Sequence, residues 1–292
     1  MPVSYLAGGA SLTTADDHVL ARDLAQEAGR LLLDLRSGGG DPDVLRKAGD
    51  RLSHEFLAAE LETRRPADAV LSEEGTDDKA RLTADRVWIV DPLDGTREFG
   101  EEGRDDWAVH VALWERDVPG SPSGQGTLTA GAVALPAQDR VLSTLDPQTA
   151  AKPNGREAPR STCGVKPQPG GSGGSSPRAM RLVVSRSRAP RLVHEVARLL
   201  QAELVPCGSA GAKVATVLSG QTDAYVHAGG FYEWDTAAPV AVALAAGYHA
   251  SRIDGGDIAY NREDPLMPDI LVCRPAIAGL LLEAIREATH AI

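Results

Sequence analysis

Acidic residues at three places in the chain are the groups best suited to chemistry. Asp91 and Asp94 stand in Asp91-Pro92-Leu93-Asp94-Gly95-Thr96, directly after the apolar run Val87 to Val90. Glu73-Glu74 follows Leu71, and Asp235 follows Trp234 where a helical pattern begins. An Asp-x-x-Asp pair at a strand end can turn two carboxylates toward one point. Pro92 fixes the backbone there, and Gly95 allows a tight turn. Carboxylates placed so close repel each other unless a cation lies between them. Hard cations such as Mg²⁺ take oxygen ligands, commonly carboxylates together with phosphate oxygens. The pattern therefore points to a multi-metal site for a phosphate group. Each piece also has a plainer reading. Asp-Pro-Leu-Asp-Gly is turn chemistry, Glu-Glu is a common solvated pair, and Asp235 is a helix N-cap. Spacing leaves these readings open, because it does not show that the three elements converge.

The elements that must position these groups can be read from periodicity. Val19, Leu20, Leu24, Ala28, Leu31, Leu32 and Leu35 recur at helical spacing over Thr14 to Leu35, before Gly38-Gly39-Gly40. A second helix is expected from Asp50 to Glu62. The period then changes to short strands at Ala69 to Leu71, Val87 to Val90, Trp107 to Leu113, Thr127 to Leu135 and Arg140 to Leu145. Neighbouring strands after two helices predict an α+β region with a largely antiparallel sheet. Gly164 to Pro177 is nearly all Gly, Pro and Ser, and reads as a flexible loop. Beyond it strands (Leu182 to Val184, Asp223 to His227, Ile270 to Cys273) alternate with helices (Arg191 to Ala202, Gly211 to Leu218, Thr236 to Ala246, Ala276 to Ala288). That is α/β character. The expected organisation is an N-terminal domain over residues 1–163, the loop 164–177, and a C-terminal domain over 178–292.

Composition narrows the class. The 292-residue chain is 42% hydrophobic and 24% charged, so it is globular and long enough for a sizeable core. Aromatics are only 4%, which leaves Leu, Val and Ala to fill that core. A net charge of −11 argues against a nucleic-acid polymer as partner. Cys163, Cys207 and Cys273 are scattered, with no CxxC spacing, so neither a disulfide framework nor a zinc knuckle is expected. No apolar run approaches the ~18 residues of a membrane span, and no signal-peptide layout is present. The expectation is a soluble, reduced, cytoplasmic protein with no membrane partner.

Trp88-Ile89-Val90-Asp91-Pro92-Leu93-Asp94-Gly95-Thr96-Arg97-Glu98-Phe99 resembles the first signature of the inositol monophosphatase superfamily. Trp234-Asp235-Thr236-Ala237-Ala238-Pro239, leading into Ala245-Ala246-Gly247, resembles the second. Ser72-Glu73-Glu74-Gly75 resembles the acidic motif upstream, and the three occur in the family's order. Within the superfamily the chain is most similar to the CysQ-type 3′(2′),5′-bisphosphate nucleotidases. Val184-Ser185-Arg186-Ser187, Gly208-Ser209-Ala210-Gly211-Ala212-Lys213 and Tyr260-Asn261 before Pro268-Asp269-Ile270 carry that likeness.

The resemblance implies a layered α/β/α/β/α sandwich and a lithium-sensitive phosphomonoesterase with two to three Mg²⁺. The substrate it implies is adenosine 3′,5′-bisphosphate (PAP), or its sulfated analogue PAPS, in connection with sulfate assimilation. Inositol 1-phosphate and fructose 1,6-bisphosphate are the alternative substrates, and a silent phosphate-binding protein is the alternative class. A homodimer is left open. By the same resemblance, Glu73, Asp91 and the Leu93 carbonyl hold one Mg²⁺. Asp91, Asp94 and Asp235 hold a second, and a looser third lies near Glu73. Asp50 and Thr96 orient the attacking water, although Arg46-Lys47-Ala48-Gly49 departs from the commoner pattern before Asp50, which also reads as an N-cap. Gly95 and Thr96 N–H groups cradle the phosphate. Ser185, Arg186, Ser209 and Lys213 meet the substrate, with Arg186 or Lys213 as the cation for a second phosphate. A surface lysine is equally consistent with Lys213. His110 reads as structural, and His227 as structural or substrate-facing.

Overall fold

Alternating burial along one strand shows how the layers are built. In β2 (Arg86–Asp94), Val87 and Ile89 face one hydrophobic cluster, while Trp88 and Val90 face another. A sheet packed on both faces needs a strand that is apolar throughout, and β2 is one. The computed structural model describes residues 15–118, 126–147, 163 and 178–291. The Gly/Pro/Ser stretch 164–177 lies outside these.

One face of the first sheet is covered by α1 (Ala15–Ser37) and α2 (Pro42–Arg64). The sheet joins β1 (Ala69–Ser72), β2, β3 (Ala108–Glu115), β4 (Thr127–Leu135) and β5 (Arg140–Ser143) in that order. Only the β1–β2 pair is parallel; the others are antiparallel, as expected. A five-residue helix, α3 (Thr96–Gly100), follows β2. The second sheet contains β6 (Arg181–Ser185), β7 (Glu203–Cys207), β8 (Ala224–Tyr232), β9 (His249–Ser251) and β10 (Leu266–Cys273), in the order β7-β6-β8-β10-β9. Its β6–β7 and β6–β8 pairs are parallel and the rest antiparallel.

Two helices, α5 (Ala210–Leu218) and α6 (Glu233–Ala245), are buried between the sheets. Their Val214, Val217, Ala238 and Val242 share one core with Ile89 of the first sheet and Val183 of the second. The outer face of the second sheet is closed by α4 (Arg191–Leu200) and α7 (Pro275–Ala291). The result is the α/β/α/β/α sandwich. Among the described residues, no helix is long and apolar enough to cross a membrane.

Two expectations change. First, α2 starts at Pro42, capped by the Asp41 carboxylate, which accepts from the Asp43 and Val44 N–H groups. Asp50 is therefore an interior helical residue and not a cap. Gly49 does not break the helix, because it lets α2 lie against Phe99 and Leu93. Second, Cys163 and Cys207 form a disulfide with Cα atoms 4.4 Å apart. This overturns the expectation of reduced, unpaired cysteines. The two are 44 positions apart, a pairing that the fold creates and local spacing does not record. Cys273 is free and buried.

Candidate active site

The acidic motifs meet at one end of the first sheet. Glu73 follows β1, Asp91 and Asp94 close β2, and Asp235 lies in the first turn of α6. Together they line a cleft of about 430 Å³ between the two halves of the molecule. That volume lies within the range of small-molecule sites. Leu93, Gly95, Thr96, Ser185, Arg186, Ser209 and Lys213 line it too, so the cleft collects the sequence candidates apart from Asp50. Asp50 is reached through Thr96, whose Oγ1 is 3.4 Å from Asp50 Oδ1 and 3.1 Å from the Leu93 carbonyl oxygen.

Local chemistry fixes each group. Asp91 Oδ1 accepts from the Leu93 N–H at 3.0 Å, so the carboxylate braces its own turn. Ser53 of α2 donates to the Pro92 carbonyl at 2.7 Å and ties that turn to the helix. Gly95 has φ +87° and a Cβ there would stand 3.2 Å from the Ser209 Cβ, so both the turn and the close approach require glycine. Asp235 accepts from the Tyr232 N–H at 2.6 Å, which makes it a helix-start partner as well as a cleft residue.

Asp94 is held from the inter-sheet layer. Its Oδ2 accepts from the Gly211 N–H at 3.1 Å and faces His110 Nε2 at 3.2 Å. His110 is fully buried, and its Nδ1 lies 3.2 Å from the Trp234 carbonyl oxygen. Burial pushes its pKa down against the pull of the Asp94 charge, and its contacts link β3 to α6. The structural reading of His110 is the one its contacts support. Gly211→Ala is expected to destabilise the protein by about 1–3 kcal/mol, as overpacking does. The new Cβ would meet His110 Nε2 at 2.4 Å and Val133 Cγ1 at 2.7 Å. A melting temperature equal to wild type would show that those neighbours give way freely.

The electrostatics are those of crowded anions. Burial, then Glu73, Asp94 and Asp235, hold the Asp91 carboxyl well above its ordinary range. Burial and the Asp235 and Asp94 charges push Glu73 up to about 8, although its side chain keeps contact with solvent at the cleft mouth. Burial and Asp94 push Asp235 up to about 7, against the Tyr232 N–H. Asp91 Oδ2 is buried and has no hydrogen-bond partner among the described residues. An all-oxygen set with an orphaned carboxylate oxygen fits a hard divalent cation.

These raised values carry a sign for stability. The folded metal-free protein holds these protons more tightly than the unfolded chain does. The stabilisation is complete below about pH 4 and is lost as pH rises toward 8. The melting temperature in chelator should therefore fall between pH 5 and 8.5, by about 5 °C or more. Added Mg²⁺ should recover most at the alkaline end. Calorimetry showing a flat or rising melting temperature across that range would contradict the clustering.

Cations and rings form the opposite wall. Arg186 Nη2 lies 2.7 Å from both Glu98 Oε1 and Glu101 Oε1. Lys213 is buried, and its Nζ donates to the Gly208 carbonyl while lying 5.3 Å from the Tyr225 ring centroid. The Ser209 hydroxyl caps α5 by accepting from the Ala212 N–H at 2.9 Å. Tyr225, His227 and Phe231 succeed one another along this wall, with centroids 6.1 and 4.9 Å apart. Burial, with Lys213 nearby, pushes His227 down to about 4, so it lines the cleft as a neutral ring. Sequence reading missed Glu98, Tyr225 and Arg188 here. It also missed Glu233, a buried carboxylate that accepts from the Asn261 and Arg262 N–H groups and so seats the start of α6. Only the Glu98 position inside the first signature offered a signal.

The profile of the inositol monophosphatase family matches residues 18–290. The chain belongs to the inositol monophosphatase family. A 3′-phosphoadenosine 5′-phosphate phosphatase of Mycobacterium leprae is 48% identical over 93% of this chain and 94% of that protein. The 3′(2′),5′-bisphosphate nucleotidase CysQ of Escherichia coli K12 is 30% identical over 85% of this chain and 96% of its own length. Among solved structures, the inositol monophosphatase fold recurs in CysQ from Bacteroides thetaiotaomicron. That structure has a TM-score of 0.67 and 26% identity, and the match covers 90% of this chain and 99% of that one. Inositol monophosphatase II of Staphylococcus aureus shares the fold at a TM-score of 0.71 and 21% identity, covering 95% of this chain and 98% of that one. This family member is an enzyme of the phosphatase class.

Proposed function

We propose that this protein is a Mg²⁺-dependent phosphomonoesterase that removes the 3′-phosphate of PAP, giving AMP and phosphate. PAP is the by-product of sulfate assimilation, which is where the activity would act. The observation that carries this reading is the meeting of Glu73, Asp91, Asp94 and Asp235, from three separate elements, beside the Asp50–Thr96 pair. The 48% identity to a phosphatase of that name supports the choice of substrate.

Glu73, Asp91 and the Leu93 carbonyl would hold one Mg²⁺, and Asp91, Asp94 and Asp235 a second, with a third beside Glu73. When bound, Mg²⁺ supplies charge neutralisation for the phosphate dianion and for the departing oxygen. The chain's own groups do the aiming. The single Thr96 hydroxyl hydrogen serves either the Leu93 carbonyl or Asp50, which leaves the Thr96 oxygen free to accept from water. Burial and Glu74 push Asp50 up to about 6, so above pH 7 it is ionised and can take a proton from that water. The Gly95 and Thr96 N–H groups, at the start of α3, would cradle the phosphoryl oxygens.

A phosphate-release assay with PAP, PAPS, inositol 1-phosphate and fructose 1,6-bisphosphate in parallel, with and without Mg²⁺, tests the reading. PAP should show the highest kcat/KM, and chelator should abolish turnover. A higher kcat/KM for inositol 1-phosphate would sink the nucleotidase assignment.

A further inference from the structure

Glu73 and Asp235, the first and last of the cleft carboxylates along the chain, sit on segments that are tied together outside the cleft. Arg81 is fully buried in the short 3₁₀ turn Lys79–Thr83, between β1 and β2. A guanidinium taken out of water must have its N–H groups satisfied. Its Nε donates to Asp77 Oδ1 at 2.6 Å and its Nη2 to Asp77 Oδ2 at 3.0 Å, a two-point pair. Its Nη1 donates to Asn261 Oδ1 at 2.7 Å, and its Nη2 also reaches the Arg262 carbonyl oxygen at 2.9 Å. Asn261 Nδ2 donates back to the Arg81 carbonyl oxygen at 3.1 Å. Asn261 has φ +57°, a left-handed conformation that asparagine tolerates. From there its N–H donates to Glu233 Oε2 at 2.7 Å, and the next N–H, of Arg262, to Glu233 Oε1 at 2.8 Å. Lys79 Nζ strengthens the same joint by donating to the Glu263 carbonyl oxygen at 2.6 Å.

Asp77 stands four residues after Glu73, and Glu233 two residues before Asp235. The bonded path from Asp77 through Arg81 and Asn261 to Glu233 therefore joins the connection that carries one cleft carboxylate to the helix turn that carries another. Arg81, Asn261 and Glu233 do not themselves line the cleft. The Asp235 charge bears on Glu73, so the two segments push apart until a cation lies between them. We infer that Arg81, Asn261 and Glu233 are positioning residues that hold the Glu73 connection and the first turn of α6 at the separation divalent cations need. This deepens the proposed metal-dependent phosphatase reading and rests on it. The three act through the ligand-bearing segments and touch neither substrate nor metal. Partners that fix metal ligands from behind commonly change metal affinity ~10–100-fold. A fold that sets the carboxylates in place beforehand spares the cations that ordering.

The test compares wild type with Asn261→Gly, Arg81→Lys, Glu233→Gln and the control Arg252→Ala. Glycine accepts the left-handed backbone at 261, so Asn261→Gly removes the two side-chain bonds to Arg81 and leaves the chain path intact. Lysine at 81 keeps the charge and loses the fork. Arg252→Ala breaks the Arg252–Asp269 pair on the same sheet, away from this joint. Binding of Mn²⁺ to chelator-treated protein is followed by electron paramagnetic resonance, with melting curves on the same samples. Mn²⁺ affinity should fall about tenfold or more in Asn261→Gly, Arg81→Lys and Glu233→Gln. The Mg²⁺ concentration for half-maximal PAP turnover should rise in step, while kcat at saturating Mg²⁺ stays within about twofold of wild type. Arg252→Ala should lower the melting temperature and leave Mn²⁺ affinity unchanged. Wild-type Mn²⁺ affinity in folded Asn261→Gly and Arg81→Lys, or an equal loss in Arg252→Ala, would overturn the assignment, as would a wild type that binds no Mn²⁺. If wild type binds Mn²⁺ but turns over no PAP, the phosphatase reading falls, and the binding comparison still decides the role of the joint.

Discussion

Asp91→Asn is expected to lower kcat for PAP ~10²-fold or more with the fold retained, the scale of removing one strong electrostatic stabiliser. Asp91 is the most enclosed of the four carboxylates, and its Oδ1 is already engaged by the Leu93 N–H. Its other oxygen is buried and has no hydrogen-bond partner among the described residues. The amide keeps the shape and loses the charge shared between both proposed metal positions. Stability should move the other way. At alkaline pH, where the clustered carboxyls ionise, the amide removes one of the mutually repelling charges, so the melting temperature in chelator should hold or rise there. Kinetics as a function of Mg²⁺, with melting curves on the same preparation, give both readouts. Near-normal Mg²⁺-dependent turnover in folded Asp91→Asn would remove the metal assignment.

Asp50→Asn should cost ~10²-fold or more in kcat, the usual contribution of a positioned base. The pH profile is the sharper readout. In wild type, kcat/KM should climb through about pH 6 as the Asp50 proton leaves, since the free carboxylate is the active form. In Asp50→Asn that acid limb should vanish while Mg²⁺ binding stays close to wild type, because Asp50 lies behind Thr96 and not among the cleft-lining carboxylates. A persisting limb at the same pH would assign the titration to another group.

Much of this site was legible because strand ends and turn residues are written locally. The apolar run from Val87 to Val90 dictates a buried strand, and the turn chemistry after it dictates where Asp91 and Asp94 stand. The start of α2 was less legible. Asp41 and Pro42 are a strong start signal, but the apolar face only becomes regular after Gly49, so periodicity placed the start too late. The strand β7 was missed because it is an edge strand whose surface pattern is broken by Pro206, a residue that edges tolerate. Side-chain partnerships were the least legible part. That Arg186 is claimed by Glu98 and Glu101 depends on α3 and the β6 turn meeting in space. No spacing along the chain encodes that meeting.

The Cys163–Cys207 bond makes residues 163–207 a covalent ring. A chain cut between 164 and 177 would still be one molecule, and only reduction would release two pieces. The first piece would carry β1 to β5 with Glu73, Asp91 and Asp94, and the second would carry β6 to β10 with Asp235. The protein is thus laid out as a ready-made pair for fragment complementation. Neither piece owns the whole carboxylate set, so turnover by a cut and reduced sample would report directly on whether the halves remain docked.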